Sequence, residues 1–164
     1  MSELELAEYD PAWAERFSAE AEKIARALGD LVVEIEHVGS TSVPGLAGKP
    51  TVDIAVGATT IDLSPEAVTK MEAAGFALAD HPERPWARIF RKGAAVPREV
   101  IVHVVEQAGP NWHAYLRFRD ALRSDRALAA EYEGLKRKLL RERGAWYSGR
   151  DKEELIGRVL RGAS

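Results

Sequence analysis

Hydrophobic positions near the start of the chain repeat at the spacing of an amphipathic helix. The repeating positions are Trp13, Phe17, Ala21, Ile24 and Leu28. Asp10-Pro11 precedes them with a capping residue and a proline suited to the first helical position, and Gly29 follows them as a stop signal. We therefore predict a first helix between Asp10 and Gly29.

Four later segments are rich in β-branched and apolar residues, which predicts strands. They cover residues 31–38, 51–56, 86–91 and 98–106. In the first segment Val33, Ile35 and His37 alternate with Glu34 and Glu36, so one face of this strand is expected to be more apolar than the other. The turn at Gly93–Pro97 predicts that the last two strands form a hairpin.

Helical patterns occupy the rest of the chain. One helix is expected after Ser64-Pro65, and a longer helical section runs from Pro110 to about Arg141 with a break at Ser124-Asp125. Asp151 is expected to cap a last helix. This order predicts an α+β fold, with a small mixed β-sheet packed with helices and a helical C-terminal section. The length of 164 residues suits a single domain, 1–164.

Composition narrows the class of protein. The chain has no cysteine, which excludes disulfide scaffolds, Cys-ligated zinc and thiol nucleophiles and fits a cytoplasmic location. No apolar run approaches the roughly 20 residues of a membrane span, so no membrane association is expected. The net charge of −3 argues against a protein that coats DNA.

Charge is distributed unevenly along the chain. Residues 1–114 contain 10 Lys/Arg and 18 Asp/Glu, whereas residues 115–164 contain 13 Lys/Arg and 8 Asp/Glu. The basic C-terminal section is interpreted in two ways, as the solvated side of helices or as a surface that faces phosphates.

The loop between the first two predicted strands carries the clearest chemical pattern. Gly39-Ser40-Thr41-Ser42 leaves one strand, and Asp53 follows about a dozen residues later in the next. Glycine permits close backbone approach, hydroxyl and N–H groups can hold a phosphate, and an aspartate can hold Mg²⁺ against it. This spacing is that of nucleotidyltransferases, although a tight turn beside a structural aspartate also accounts for it. Lys49 at the end of the loop is either a further phosphate contact or an exposed loop lysine.

The wider segment from Glu36 to Pro50, EHVGSTSVPGLAGKP, closely resembles the signature of the GrpB family. The resemblance extends along nearly the whole chain. It includes Tyr9-Asp10-Pro11, Val102-His103-Val104, Trp112, Phe118-Arg119-Asp120, Leu135-Lys136, Tyr147 and Lys152. It implies a nucleotidyltransferase-like fold with a nucleotide site rather than a known reaction.

One position departs from active nucleotidyltransferases, which place a second metal-binding carboxylate two residues after the first. Here that position is Ala55, and the later strand that normally supplies a third carboxylate offers His103. Because two-metal phosphoryl transfer needs clustered carboxylates, a standard two-Mg²⁺ enzyme is disfavoured. Imidazole suits transition metals better than Mg²⁺.

Two histidines are candidate partners for Asp53. If His37, Asp53 and His103 share a face of the sheet, they can ligate one metal or bind a phosphate beside Ser40. The cofactor expected there is a divalent metal, Mg²⁺ or Mn²⁺, or else a transition metal. Each histidine also fits a structural role in an apolar strand, and a contact between Asp53 and His103 is expected in either case.

Three hypotheses follow. In the first, the chain binds a nucleotide or small phosphorylated ligand and can transfer a nucleotidyl group, with Asp53, Ser40 and His103 as catalytic residues. The second is a non-catalytic ligand- or partner-binding relative, because the second carboxylate is missing. The third is a single-metal hydrolase that uses His37, Asp53 and His103. Acyl transfer by Ser40 is disfavoured, because Gly39-Ser40-Thr41 lacks a Gly-x-Ser-x-Gly elbow.

Overall fold

A five-stranded mixed β-sheet forms the centre of the protein, in a computed structural model that describes residues 6–93, 99–143 and 152–162. The strands are β1 (Val32–Val38), β2 (Val52–Ala58), β3 (Ala77–Leu78), β4 (Ala87–Lys92) and β5 (Val100–Glu106). The helices are α1 (Ala12–Leu28), α2 (Pro65–Ala73), α3 (Pro110–Ser124), α4 (Arg126–Arg143) and α5 (Glu153–Leu160). The predicted α+β class with a small mixed sheet is confirmed.

The strand order is β1-β2-β5-β4-β3. β2 and β5 are parallel, whereas β1–β2, β5–β4 and β4–β3 are antiparallel. The predicted hairpin of β4 and β5 is therefore confirmed as an antiparallel pair, although residues 94–98 of its turn lie outside the described residues. The two-residue strand β3 was not predicted, because it is too short to form an alternating pattern.

Local sequence signals explain where the helices begin and end. Asp10 Oδ1 accepts the N–H of Ala12 at 2.9 Å, as expected of the predicted cap, and α1 begins at Ala12, one residue after the predicted Pro11 start. Ser64 Oγ accepts the N–H of Ala67 at 3.1 Å at the start of α2. The predicted break separates α3 from α4, and Asp125 Oδ1 accepts the N–H of Leu128 at 3.0 Å. The predicted cap Asp151 lies outside the described residues.

Helices cover both faces of the sheet. α1 and α2 pack on one face, where Ile24, Met71, Ile54, Val102 and Phe90 are fully buried. On the other face, α3 places Trp112 against a second apolar cluster, which contains Val38, Ala55, Ala87, Ile89 and Val105. Because both faces of β2 and β5 are covered, these strands are almost continuously apolar.

The C-terminal helices hold the loop that follows β1. Val43 and Leu46 of this loop pack with Leu122, Tyr132 and Leu155 of α3, α4 and α5. This packing fixes the loop from Gly39 to Thr51 between the edge of the sheet and the C-terminal helices.

Within the described part of the chain, no helix is both long and apolar enough to cross a membrane.

Candidate functional site

The loop begins with a close contact between Gly39 and Asp53. Val38 at the end of β1 pairs with Asp53 of β2, which places the next residue beside the Asp53 carboxylate. Gly39 has a φ of 75°, and a Cβ atom at this position would lie 2.6 Å from Asp53 Oδ2. Both the backbone conformation and the lack of a side chain therefore require glycine here.

The next three residues, Ser40–Ser42, form a single 3-10 turn. Ser42 donates to Gly39 O through both its backbone N–H (3.1 Å) and its hydroxyl (2.6 Å). Thr41 Oγ1 lies 2.9 Å from His37 Nε2. Thr41 and Ser42 are buried, whereas Ser40 is half-buried. Of the three hydroxyls predicted to bind phosphate, only that of Ser40 is thus left to face a ligand, while the other two build the turn.

His37 lies on the opposite face of the sheet from Asp53. It pairs with Ile54, and its ring stacks on Phe17 of α1 with centroids 5.0 Å apart. Burial lowers the pKa of His37 to about 4, so the ring is neutral at physiological pH. The expectation that His37 shares a face with Asp53 and His103 is wrong, because the β1–β2 register places Val38, and not His37, opposite Asp53.

Asp53 and His103 share a face and are hydrogen-bonded. His103 Nε2 lies 3.1 Å from Asp53 Oδ1, and His103 Nδ1 lies 3.1 Å from the hydroxyl of Tyr115 on α3. Burial raises the pKa of Tyr115 to about 12. A carboxylate oxygen can only accept, so His103 donates to Asp53 through Nε2–H, and Nδ1 of the neutral ring then accepts the proton of the Tyr115 hydroxyl.

Both ring nitrogens of His103 are hydrogen-bonded here, so His103 could bind a metal only by giving up its contact with Asp53 or with Tyr115. Ala55, at the position of the second carboxylate in active nucleotidyltransferases, is 0% exposed and pairs with His103 across β2 and β5. No group of three His, Asp or Glu side chains able to hold a metal occurs in the described ranges. The side chain of Asp53 is 28% exposed, so it can offer an oxygen to one Mg²⁺ or Mn²⁺, whose remaining ligands would be water and a ligand's phosphates.

Lys136 is a site residue to which the sequence assigned no role. It is 1% exposed, and its Nζ donates to Ser40 Oγ at 2.7 Å and to Ala47 O at 2.8 Å. Nζ also lies 4.7 Å from the centroid of the Tyr132 ring. Burial lowers the pKa of Lys136 to about 7. The available signals were its place in the family resemblance, Leu135-Lys136, and its position four residues after Tyr132, which places both side chains on one helix face.

Two more lysines lie near the loop. Burial lowers the pKa of Lys49, and the charge of Lys152 lowers it further. Lys152 Nζ donates to the Tyr132 hydroxyl at 3.1 Å and also lowers the pKa of Lys136. Lys49 is half-buried rather than an exposed loop lysine. Lys49, Lys136 and Lys152, which we call the lysine cluster, thus lie close enough for their charges to interact.

Arginines of α3 attach the helix to the sheet and to the loop. Arg119 Nη1 donates to Glu36 Oε1 at 2.6 Å and to His37 O at 3.2 Å, so Arg119 bridges α3 to β1. Arg123 Nε donates to Ser42 O at 2.9 Å. The basic C-terminal section therefore contributes side chains to the loop. Tyr147, which matches the family, lies outside the described residues.

Comparison with solved structures identifies the fold. The structure of the GLD-2/RNP-8 complex superposes with a TM-score of 0.59 at 12% identity, covering 94% of this chain and 60% of that chain. Similarity at this identity extends to the fold alone. The predicted nucleotidyltransferase-like fold is confirmed.

Closer relatives identify the family. The model of the family described as GrpB protein matches residues 3–161. A UPF0157 protein of Streptomyces coelicolor is 41% identical over 140 residues, which cover 85% of this chain and 72% of the relative. The crystal structure of conserved protein GrpB from Enterococcus faecalis superposes with a TM-score of 0.85 at 30% identity, covering 97% of this chain and 96% of that chain. With the signature at Glu36–Pro50 and these matches, the chain belongs to the GrpB family.

Proposed function

We propose that this protein binds a nucleotide or another small phosphorylated ligand at the loop that begins with Gly39-Ser40. The observation that carries the proposal is the lysine cluster. Burial lowers the pKa of Lys49 and of Lys136, and the charge of Lys152 lowers both pKa values further. The positive charges of Lys49 and Lys152 at this loop would be stabilised by an anionic ligand.

Each half-buried group of the site has a separate part in this binding. Ser40 can donate its hydroxyl proton to a phosphate oxygen, and Lys49 supplies a positive charge at the other end of the loop. Asp53 is acidic, so it opposes a bare phosphate but accepts a cation that a phosphate brings with it. His103 and Tyr115 fix the orientation of the Asp53 carboxylate through their hydrogen bonds.

Binding without two-metal transfer is the function that this geometry supports best. Ala55 is fully buried, and His103 is already paired with Asp53 and Tyr115. Asp53 is therefore left without the second carboxylate that a standard nucleotidyl transfer uses. The third hypothesis, a single-metal hydrolase, loses its ligand set because His37 faces α1.

Isothermal titration calorimetry with each of the four common ribonucleoside triphosphates tests the proposal, with Mg²⁺, with Mn²⁺ and with neither. We expect a saturable heat for at least one triphosphate and a loss of about tenfold or more in affinity for Lys49→Met. Lys138→Met is the matched control, since Lys138 is an exposed lysine of α4, and it should bind as the wild type does. If none of the triphosphates produces heat or raises the melting temperature at millimolar concentration, the proposal that the ligand is a nucleotide is wrong.

A radioactive assay with the γ-phosphate labelled separates binding from nucleotidyl transfer, because the released pyrophosphate would carry the label. We expect no release of labelled pyrophosphate, because the second carboxylate is missing. Release of pyrophosphate that stops in Asp53→Asn would instead support the nucleotidyltransferase hypothesis.

A further inference from the structure

A serine hydroxyl and a buried amine meet at the base of the loop. Ser40 Oγ and Lys136 Nζ are 2.7 Å apart, although the residues are 96 positions apart in the chain. Ser40 is half-buried, whereas Lys136 is buried beneath it. The amine is therefore shielded from solvent, and the hydroxyl is the member of the pair that a ligand can reach.

The surroundings of Lys136 favour its neutral form. The two hydrogen bonds of Nζ end on neutral oxygens, those of Ser40 Oγ and Ala47 O. Burial has the largest effect on the pKa, and the charges of Lys152, Lys49 and Arg137 lower it further. The charge of Glu133 raises the pKa of Lys136, and its Oε1 accepts the N–H of Ala47 at 2.9 Å. A pKa of about 7 leaves much of the lysine unprotonated in neutral solution.

A neutral amine in hydrogen-bond contact with a hydroxyl is the arrangement by which serine–lysine pairs activate a nucleophile. Such a pair does not require the Gly-x-Ser-x-Gly elbow whose absence disfavours acyl transfer, since the base comes from a distant helix. The geometric requirement is a base within about 3.2 Å of the proton it removes, and the Ser40–Lys136 distance meets it.

We propose that Ser40 and Lys136 form a serine–lysine pair that makes Ser40 the acceptor of a phosphoryl group. The Oγ atom attacks the phosphorus of an activated phosphate ester or anhydride, and the bond from phosphorus to the leaving group breaks. The hydroxyl proton passes to Lys136 Nζ, and the leaving group departs with the electron pair. The product is a phosphoester of Ser40. The choice of phosphorus as the electrophile rests on the proposed function, whereas the nucleophilic pair rests on its own geometry.

A fluorophosphonate probe tests the pair without a known substrate. Attack by Ser40 forms an O–P bond, breaks the P–F bond and releases fluoride, and the added mass is located by peptide mapping. We expect one label, on Ser40, at a rate that rises with pH through about 7 and then levels off. Ser40→Ala should remove the label, whereas Ser18→Ala, which changes an exposed serine of α1, should not.

A purely structural lysine would hold the loop without affecting the reactivity of Ser40. Lys136→Met should therefore slow labelling by about 100-fold or more, whereas Lys138→Met should label as the wild type does. If Lys136→Met does not fold, the pH dependence of the wild type still decides. Labelling of Ser40 no faster than that of Ser18, or a rate independent of pH between 6 and 8, would overturn the proposal.

The outcomes for the two proposals are separable. If nucleotide titration gives heat but the probe does not label Ser40, the binding function is supported and the serine–lysine pair is refuted. If the probe labels Ser40 but nucleotide titration gives no heat, the serine–lysine pair is supported and nucleotide binding is refuted.

Discussion

Replacement of Gly39 by alanine tests the contact on which the site is built. Gly39 has φ 75° and ψ −175°, a region that is accessible essentially to glycine alone. An alanine held there costs about 1–3 kcal/mol in backbone strain. Its Cβ would also lie 2.6 Å from Asp53 Oδ2 and 3.0 Å from Asp53 Cβ, so the carboxylate must move. We expect a total loss in the free energy of unfolding of about 3 kcal/mol.

Two other glycines separate strain from contact. Gly45 has a φ of 85° but nothing within 4 Å of an added Cβ, so Gly45→Ala should lose only about 1 kcal/mol. Gly134 lies in α4 with open space and no positive φ, so Gly134→Ala should gain about 0.5–1 kcal/mol. At roughly 2–4 °C per kcal/mol for a chain of this size, the melting temperatures of the three variants should be clearly ordered.

Urea unfolding followed by circular dichroism measures these differences. In an Asp53→Ala background the oxygen that Gly39→Ala would strike is absent, so the loss caused by Gly39→Ala should shrink by about 1 kcal/mol. Equal losses for Gly39→Ala and Gly45→Ala, or no change in the Asp53→Ala background, would refute the close approach of the loop to the carboxylate.

Three further predictions concern buried polar groups. Burial lowers the pKa of His37 from 6.5 to about 4 in the folded protein, so between these pH values the unfolded chain binds a proton that the folded chain does not. The contribution of His37 to the free energy of unfolding is therefore complete above pH 6.5, and about 3 kcal/mol of it is lost as the pH falls to about 4. In urea titrations at several pH values, His37→Gln should be less sensitive to acid over this range than the wild type, and equal slopes would contradict the assignment. Glu20→Gln should cost about 3 kcal/mol in urea unfolding, because the Lys92 ammonium 2.8 Å away loses its buried partner; a loss below 1 kcal/mol would refute this. Tyr115→Phe should cost about 1–3 kcal/mol by the same measurement, because His103 Nδ1 loses its donor, and an unchanged midpoint would show that the hydrogen bond contributes nothing.

Much of the fold follows from the local pattern of the sequence. The helical repeat from Trp13 to Leu28, the four longer strands and the break at Ser124-Asp125 all appear in the structure within a few residues of their predicted ends. These features depend on backbone preferences and on the periodicity of apolar positions, which act over short distances along the chain. The strand β3 escaped prediction because two residues carry no periodicity.

The site was predictable only in part. The Gly39–Ser42 turn, the position of Asp53 and the absence of a carboxylate at Ala55 could all be seen in the sequence. The Asp53–His103 contact was also expected, and it is present. The prediction that His37 shares a face with Asp53 failed. Alternation shows which residues of one strand point to the same side, but the register with the neighbouring strand decides which residues of the two strands share a face.

Local signals in the chain are enough to predict the helices and longer strands, the loop with its glycine and hydroxyls, and the single carboxylate at Asp53. Which groups meet depends on the packing of distant segments. The β1–β2 register places His37 on the face of the sheet that α1 covers. Helix packing places Tyr115 in contact with His103 and Lys136 in contact with Ser40. The physical reason is that such contacts depend on strand register and helix docking, which are set by burial across the whole chain rather than by the spacing of neighbouring residues.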